Sequence, residues 1–173
     1  EAAFRACPRS VPAANRQPGI DLGRLSVAQL LDAIAAPTPS PAGAAVAALT
    51  AACAASLGIM GVQLSRRPRD ASQFSSIARR LTKLAQADGV AYTKYLQASR
   101  LPVSDARRPA RLALALHRAT KVPLQIAELA GQAGRRLHVG RKRVKASVQA
   151  DMTVGIILCA AAAEAGLHIV REN

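Results

Sequence analysis

Aromatic residues are almost missing from this chain: two Phe, two Tyr and no Trp in 173 residues. Strands are held by β-branched and aromatic side chains packed on a pleated face, so the composition argues against an all-β fold. Acidic residues are scarce too. Ten Asp and Glu face 24 Lys and Arg, leaving a net charge of +14. That imbalance calls for an anionic partner: nucleic acid, a membrane surface or a small polyanion. The three cysteines include no CxxC pair, which argues against a zinc site and against a disulfide framework. Cys53 and Cys159 lie in apolar runs, where free cysteine acts as a small hydrophobe. His117, His138 and His168 have no metal-ligand spacing, so no metal is expected. No signal-peptide pattern is visible, and a cytoplasmic setting is expected.

What is abundant is alanine, 39 residues in a chain that is half hydrophobic. The length suits one domain, and the apolar fraction is too high for disorder. Small side chains let helix backbones approach closely, so an all-α bundle is expected. No charge occurs between Asp32 and Arg66, a stretch long enough to cross a bilayer. Pro37, Pro39 and Pro41 interrupt it, and the remainder is mostly Ala and Gly. The central helix of a soluble bundle fits this better than a membrane span.

Residues 1–24 are rich in Pro and Arg without periodicity and read as an arm, with the helical domain spanning 25–173. Ser26 and Gln29 have capping-box spacing, which opens a first helix ending at Pro37. Ser40 and Pro41 suit the N-cap and first turn of a second helix, 41–64. A basic turn, SRRPRD, leads to a third helix, 70–97, with Phe74, Ile77, Leu81, Leu84, Tyr92 and Tyr95 on one stripe. A fourth, 105–137, contains Pro123, which should kink it and free the carbonyl of Ala119. The run RRLHVGRKRVK holds six positive charges and no negative one. A fifth helix, 150–165, is expected to close on Gly166, with the last residues extended.

Two carboxylates stand out. Asp88 fills the gap in the apolar stripe after Leu84, beside Gly89, which would leave open space. A buried carboxylate is either paired or functional. Asp151 opens the last helix, where a helix cap is the simple reading. The segment around Ser40 offers backbone N–H groups to an anion at a helix start but lacks a P-loop GKS or GKT. The basic run lacks interleaved aromatics or a recognition motif, so nucleic acid is not the expected partner.

From Leu25 onward the chain resembles the cyclodeaminase/cyclohydrolase family. The matching stretches are LSVAQLLDAIAAPTPSPAGAAVAALTAACAASLG, ADGVAYTKYL, ATKVPLQIAELA and SVQADMTVGIILCAAAAEAGLHIVREN. The family's S-P-T-P-x-P-G-G-G-S signature reads APTPSPAGAAVAA here; Gly43 is kept, while Ala42, Ala44 and Ala45 replace two glycines and a serine. Its D-x-x-A-Y pattern is Asp88, Ala91 and Tyr92. Its Ser-Asp pair becomes Ala150 and Asp151, and its terminal Asn is Asn173. The resemblance implies a five-helix, all-α bundle that forms a homodimer with the cleft between subunits. Members stand alone or follow a formiminotransferase domain. The implied substrate is a tetrahydrofolate derivative, with no bound cofactor. The implied reaction is cyclodeamination of 5-formiminotetrahydrofolate or hydrolysis of the methenyl form. Asp88 and Asp151 would be catalytic. Ser40, Gly43, Tyr92 and Asn173 would contact substrate. Lys94, Arg141, Lys142 and Arg143 would hold folate carboxylates, including a polyglutamate tail. Three readings stand at this point: a folate-transforming enzyme, a catalytically weakened folate binder, and a basic interaction module.

Overall fold

A computed structural model describes residues 21–173 of the chain. Among these residues there are five α-helices and no strand. They are α1 (Val27–Ala35), α2 (Gly43–Leu64), α3 (Pro68–Ser99), α4 (Arg108–Arg141) and α5 (Gln149–Glu172). The expected bundle is therefore present. The expected arm lies outside the described residues except for its end. There a short 3-10 turn, Leu22–Arg24, docks on α3 through a bond from the Leu22 N–H to Gln86 Oε1, 3.0 Å.

α2 is the axis of the bundle and touches α3, α4 and α5. Its inward faces are almost entirely alanine, from Ala44 to Ala55, followed by Gly58, Gly61 and Val62. Small side chains there let three helices crowd one. A Cβ on Gly58 would fall 2.8 Å from the Phe74 ring and 3.0 Å from Leu137 Cδ2. The missing methyl is the space those larger side chains fill. Leu81, Ile126, Leu129, Leu137 and Met152 complete the core. Truncating one of them to Ala should cost roughly 2–5 kcal/mol. α2 and α5 are each long and apolar enough to cross a bilayer by length and composition. In α2 half of the apolar window is buried within the bundle, as expected of a core helix; in α5 less than a quarter of the window is buried, the rest being half-buried or exposed.

α2 and α5 run antiparallel. Gly43 lies beside Ile169, and Gly61 lies against Met152. The fifth helix does not stop at Gly166. It runs to Glu172, so the tail expected to be extended is helical. The glycine serves packing: a Cβ on Gly166 would lie 2.9 Å from the Pro123 carbonyl and 3.1 Å from Ala127 Cβ. Only a residue without a side chain lets α5 approach α4 this closely. The second helix begins at Gly43, later than expected. Its N-cap is Ala42, with no side-chain cap bond. The first helix starts as read, with both capping-box bonds formed between Ser26 and Gln29.

Candidate active site

The stripe on α3 turns gradually from core to surface. Phe74, Ile77 and Leu81 are buried, Leu84 and Asp88 are half-buried, and Tyr92 is exposed. Asp88 therefore sits at the edge of the core. Burial pushes its carboxyl up to about 6. Among the described residues it has no hydrogen-bond or ion-pair partner. A half-desolvated carboxylate without a partner is costly to keep for stability alone, and its pKa suits proton transfer near neutrality.

The open space expected beside Gly89 is filled. The loop between α1 and α2 brings Ser40 onto it, and a Cβ on Gly89 would fall 3.2 Å from Ser40 Cβ and overlap its Oγ. Ser40 is thus pressed against α3 next to Asp88, which accounts for its absence from the α2 cap. Tyr92 and Tyr95 follow Asp88 by one and two turns on the same face, as their spacing dictates. Their ring centroids are 6.2 Å apart, and burial together with the Tyr92 hydroxyl raises the Tyr95 pKa. Gly43 and Asn173 belong to this end of the bundle. Gly43 lies beside Ile169, and the Asn173 N–H bonds back to the Ile169 carbonyl at 3.1 Å. The Asn173 side chain donates from Nδ2 to the Ala119 carbonyl at 3.0 Å. That is the carbonyl Pro123 leaves free inside a helix that otherwise runs unbroken.

The remaining candidates are elsewhere. Asp151 lies in the first turn of α5, next to Met152, which meets Gly61 at the far end of α2. From Gly43 to Gly61 the axis advances about 27 Å at 1.5 Å per residue. Within one chain, Asp88 and Asp151 are at opposite ends and share no cleft. Lys94 lines a separate groove between α3 and α4, with Arg111 and Arg118. The basic run is split by its own helix. Leu137 turns into the core, Arg141 donates from Nη1 to Thr153 Oγ1 at 3.2 Å, and Lys142 is exposed. Arg143 lines a cleft against the start of α3.

Cys159 is buried and its thiol is pushed up to about 11, so it is no nucleophile. Among the described residues no group of His, Cys, Asp and Glu could hold a metal ion. Sequence reasoning missed the Gln86 anchor and the seating of Ser40 on Gly89. The PTPSP segment and the DG pair are both visible as motifs, but nothing in the chain order says that they meet.

No curated protein matches the chain. Among solved structures, the crystal structure of formiminotetrahydrofolate cyclodeaminase from Thermotoga maritima superposes with a TM-score of 0.79 at 22% identity. The match covers 86% of this chain and 78% of that one. A likeness at that identity establishes the helical fold. The family itself comes from the sequence model described as formiminotransferase-cyclodeaminase, which matches residues 26–173. That span begins at the Ser26 cap and takes in all five helices, the Ser40 loop, Asp88 and Asp151, and on it the chain belongs to the formiminotransferase-cyclodeaminase family.

Proposed function

We infer that this protein is a folate one-carbon enzyme of the cyclodeaminase type, converting 5-formiminotetrahydrofolate to 5,10-methenyltetrahydrofolate and ammonia. The observation that carries the reading is Asp88: a half-buried, unpartnered carboxylate with a pKa of about 6, beside Ser40, in a chain of this family.

The chemistry asks little beyond proton transfer. N10 of the folate attacks the formimino carbon, and a new C–N bond forms. The Asp88 carboxylate accepts the proton that N10 gives up. The resulting carboxylic acid returns that proton to the exocyclic amine. The C–N bond to that amine breaks and ammonia leaves. A single group can serve as base and then acid when its pKa lies near the working pH. The formimino carbon is already electrophilic, so the reading requires no bound cofactor.

The working unit in this reading is a homodimer. α1 has no buried residue, and Val27 and Leu31 on it are exposed. Val46, Cys53 and Leu64 form a bare line along α2, at helical spacing, and Val154 and Ile157 do the same on α5. Exposed apolar lines on two long neighbouring helices favour an isologous contact between copies. A two-fold axis across these helices sets the Asp151 end of one copy beside the Asp88 end of the other. That supports a cleft built from both chains, with Tyr92 and Gly43 from the Asp88 side. A reducing cytoplasm suits the free thiol of Cys159. The test is direct: methenyl absorbance should rise when the purified protein meets 5-formiminotetrahydrofolate, and Asp88→Asn should abolish it. Turnover of the methenyl form alone, with none of the formimino form, would assign the chain to hydrolysis instead.

A further inference from the structure

At the end of the bundle remote from Asp88, a cleft of about 390 Å³ opens between the start of α3 and the end of α4. Its floor is apolar, with Val62, Phe74 and Val144. Its rim carries Arg67, Arg135, Arg136 and Arg143, and no lysine lines it. Asp70 is the acidic residue present, and it accepts from Arg67 Nε at 3.0 Å. Arg136 donates to the neutral Gln73 amide oxygen. Arg135, Arg136 and Arg143 therefore face the cleft with no carboxylate partner among the described residues. The two turns that frame it are tied together by a bond from the Lys145 N–H to Ser65 Oγ, 3.0 Å.

A second observation concerns Arg66. The C-terminus of α2 closes in a Schellman turn, with the Arg67 N–H on the Val62 carbonyl at 2.8 Å and the Arg66 N–H on the Gln63 carbonyl at 3.0 Å. Such turns favour glycine at the left-handed position. Here that position is Arg66, at φ 58°, the one non-glycine residue with positive φ among those described. Its side chain lines a smaller hollow that shares Arg67 and Asp70 with the cleft. A strained cation kept beside an arginine-rimmed concavity points to a ligand for that charge.

We propose that this cleft binds an oligophosphate, free or as the phosphate chain of a nucleotide. Guanidinium groups meet phosphate through two parallel N–H bonds, a geometry ammonium groups cannot supply, and every cation lining the cleft is an arginine. Three unneutralised guanidinium groups match a chain of phosphates better than one carboxylate. The exposed Val139 side chain in the lining offers apolar contact to a ring carried by that chain, and the volume lies within the small-ligand range. Nucleic acid fits less well. Its bases need exposed aromatic platforms, but Phe74 is buried and both tyrosines are far along α3.

Calorimetry of the full chain at about 0.1 M salt tests the site with inorganic tripolyphosphate and with ATP. Saturable binding of one tripolyphosphate per chain is expected, weakened about tenfold or more in Arg135→Gln/Arg143→Gln and unchanged in Arg79→Gln, which lies outside the cleft. Should the double variant fail to fold, Arg136→Lys/Arg143→Lys keeps the charge but loses the fork, and weakening there carries the same meaning. ATP binding tighter than tripolyphosphate identifies a nucleotide; equal affinities identify the phosphate chain. Absence of saturable binding, or binding indifferent to these arginines, overturns the proposal. So does tighter competing binding by an oligonucleotide or by γ-linked pentaglutamate. None of these readouts depends on folate turnover.

Discussion

Asn173, the C-cap of α5, closes the gap that Pro123 opens in α4: its amide donates to the carbonyl of Ala119, the acceptor that proline cannot serve. The bond joins two helices at the end of the bundle where Gly43 and Ile169 meet. Asn173→Ala should cost about 1 kcal/mol, a fall of roughly 2–4 °C in melting temperature. Thermal unfolding measures the loss. A raised KM with no change in melting temperature would assign the amide to the substrate instead.

Gly89 is held to glycine by Ser40. In Gly89→Ala the added methyl and the serine cannot both keep their places, because the new Cβ would overlap Ser40 Oγ and lie 3.2 Å from Ser40 Cβ. The Ser40 hydroxyl must turn away and its loop give by a few tenths of an ångström, which disturbs the wall beside Asp88. Displacements of an ångström can lower catalytic efficiency by about 100-fold. The expected result is a kcat/KM loss of about 10- to 100-fold, with most of the helical circular dichroism retained. Wild-type kinetics in this variant would remove the Ser40 loop from the site.

The bundle was legible because its signals are local. The Ser26–Gln29 box, the proline breaks and the alanine run each act over a few residues, and the helices follow them. Gly166 shows where local reading stops. A glycine near a helix end resembles a cap, but this one is fixed by the Pro123 carbonyl on another helix. The site divides in the same way. Asp88 was visible as a carboxylate in an apolar stripe. Its distance from Asp151 was not, because it depends on α2 and α5 running antiparallel. The basic run was likewise read as one patch, but α4 ends at Arg141, and Arg141 and the turn residue Arg143 meet different neighbours.

The raised pKa of Asp88 gives a pH signature. Folding lifts the carboxyl from 3.8 to about 6, so the native state binds its proton more tightly than the unfolded state. Below 3.8 both states are protonated and the group costs nothing. As pH rises from 4 toward 6 the desolvation cost appears, reaching about 3 kcal/mol at most when fully expressed. Asp88→Asn should therefore be more stable than wild type above pH 6, and the difference should vanish below pH 4. Denaturant titrations across that range measure it. In the same window kcat/KM should rise with an apparent pKa of about 6, since the base must be ionised. A profile flat from pH 5 to 7 would argue against Asp88 as the base.

Arg66 offers a stability gain. Arg66→Gly removes a side chain from the left-handed position of the Schellman turn, where L-residues pay about 1 kcal/mol. The unfolded glycine regains some of that as entropy, so a net gain of about 0.5 kcal/mol or more is expected. Chemical denaturation checks it. A loss would mean that the arginine side chain makes a contact worth more than its backbone strain.

The dimer makes the sharpest prediction, because Asp88 and Asp151 lie too far apart to act together in one chain. Asp88→Asn and Asp151→Asn should each be nearly inactive as purified homodimers. When the two are unfolded together and refolded, half the dimers should contain one chain of each kind. In a two-fold assembly, such a mixed dimer has one site with both carboxylates intact and one site with neither. Mixing should therefore restore about half of wild-type activity in the mixed species, about a quarter in the mixture as a whole, with wild-type KM. Ile157→Lys places a charge on the bare face of α5. In that background the protein should sediment as a monomer and the mixture should stay inactive. If mixing restores nothing while the dimer forms, the two carboxylates do not share a site, and Asp151 remains the helix-start residue its position describes.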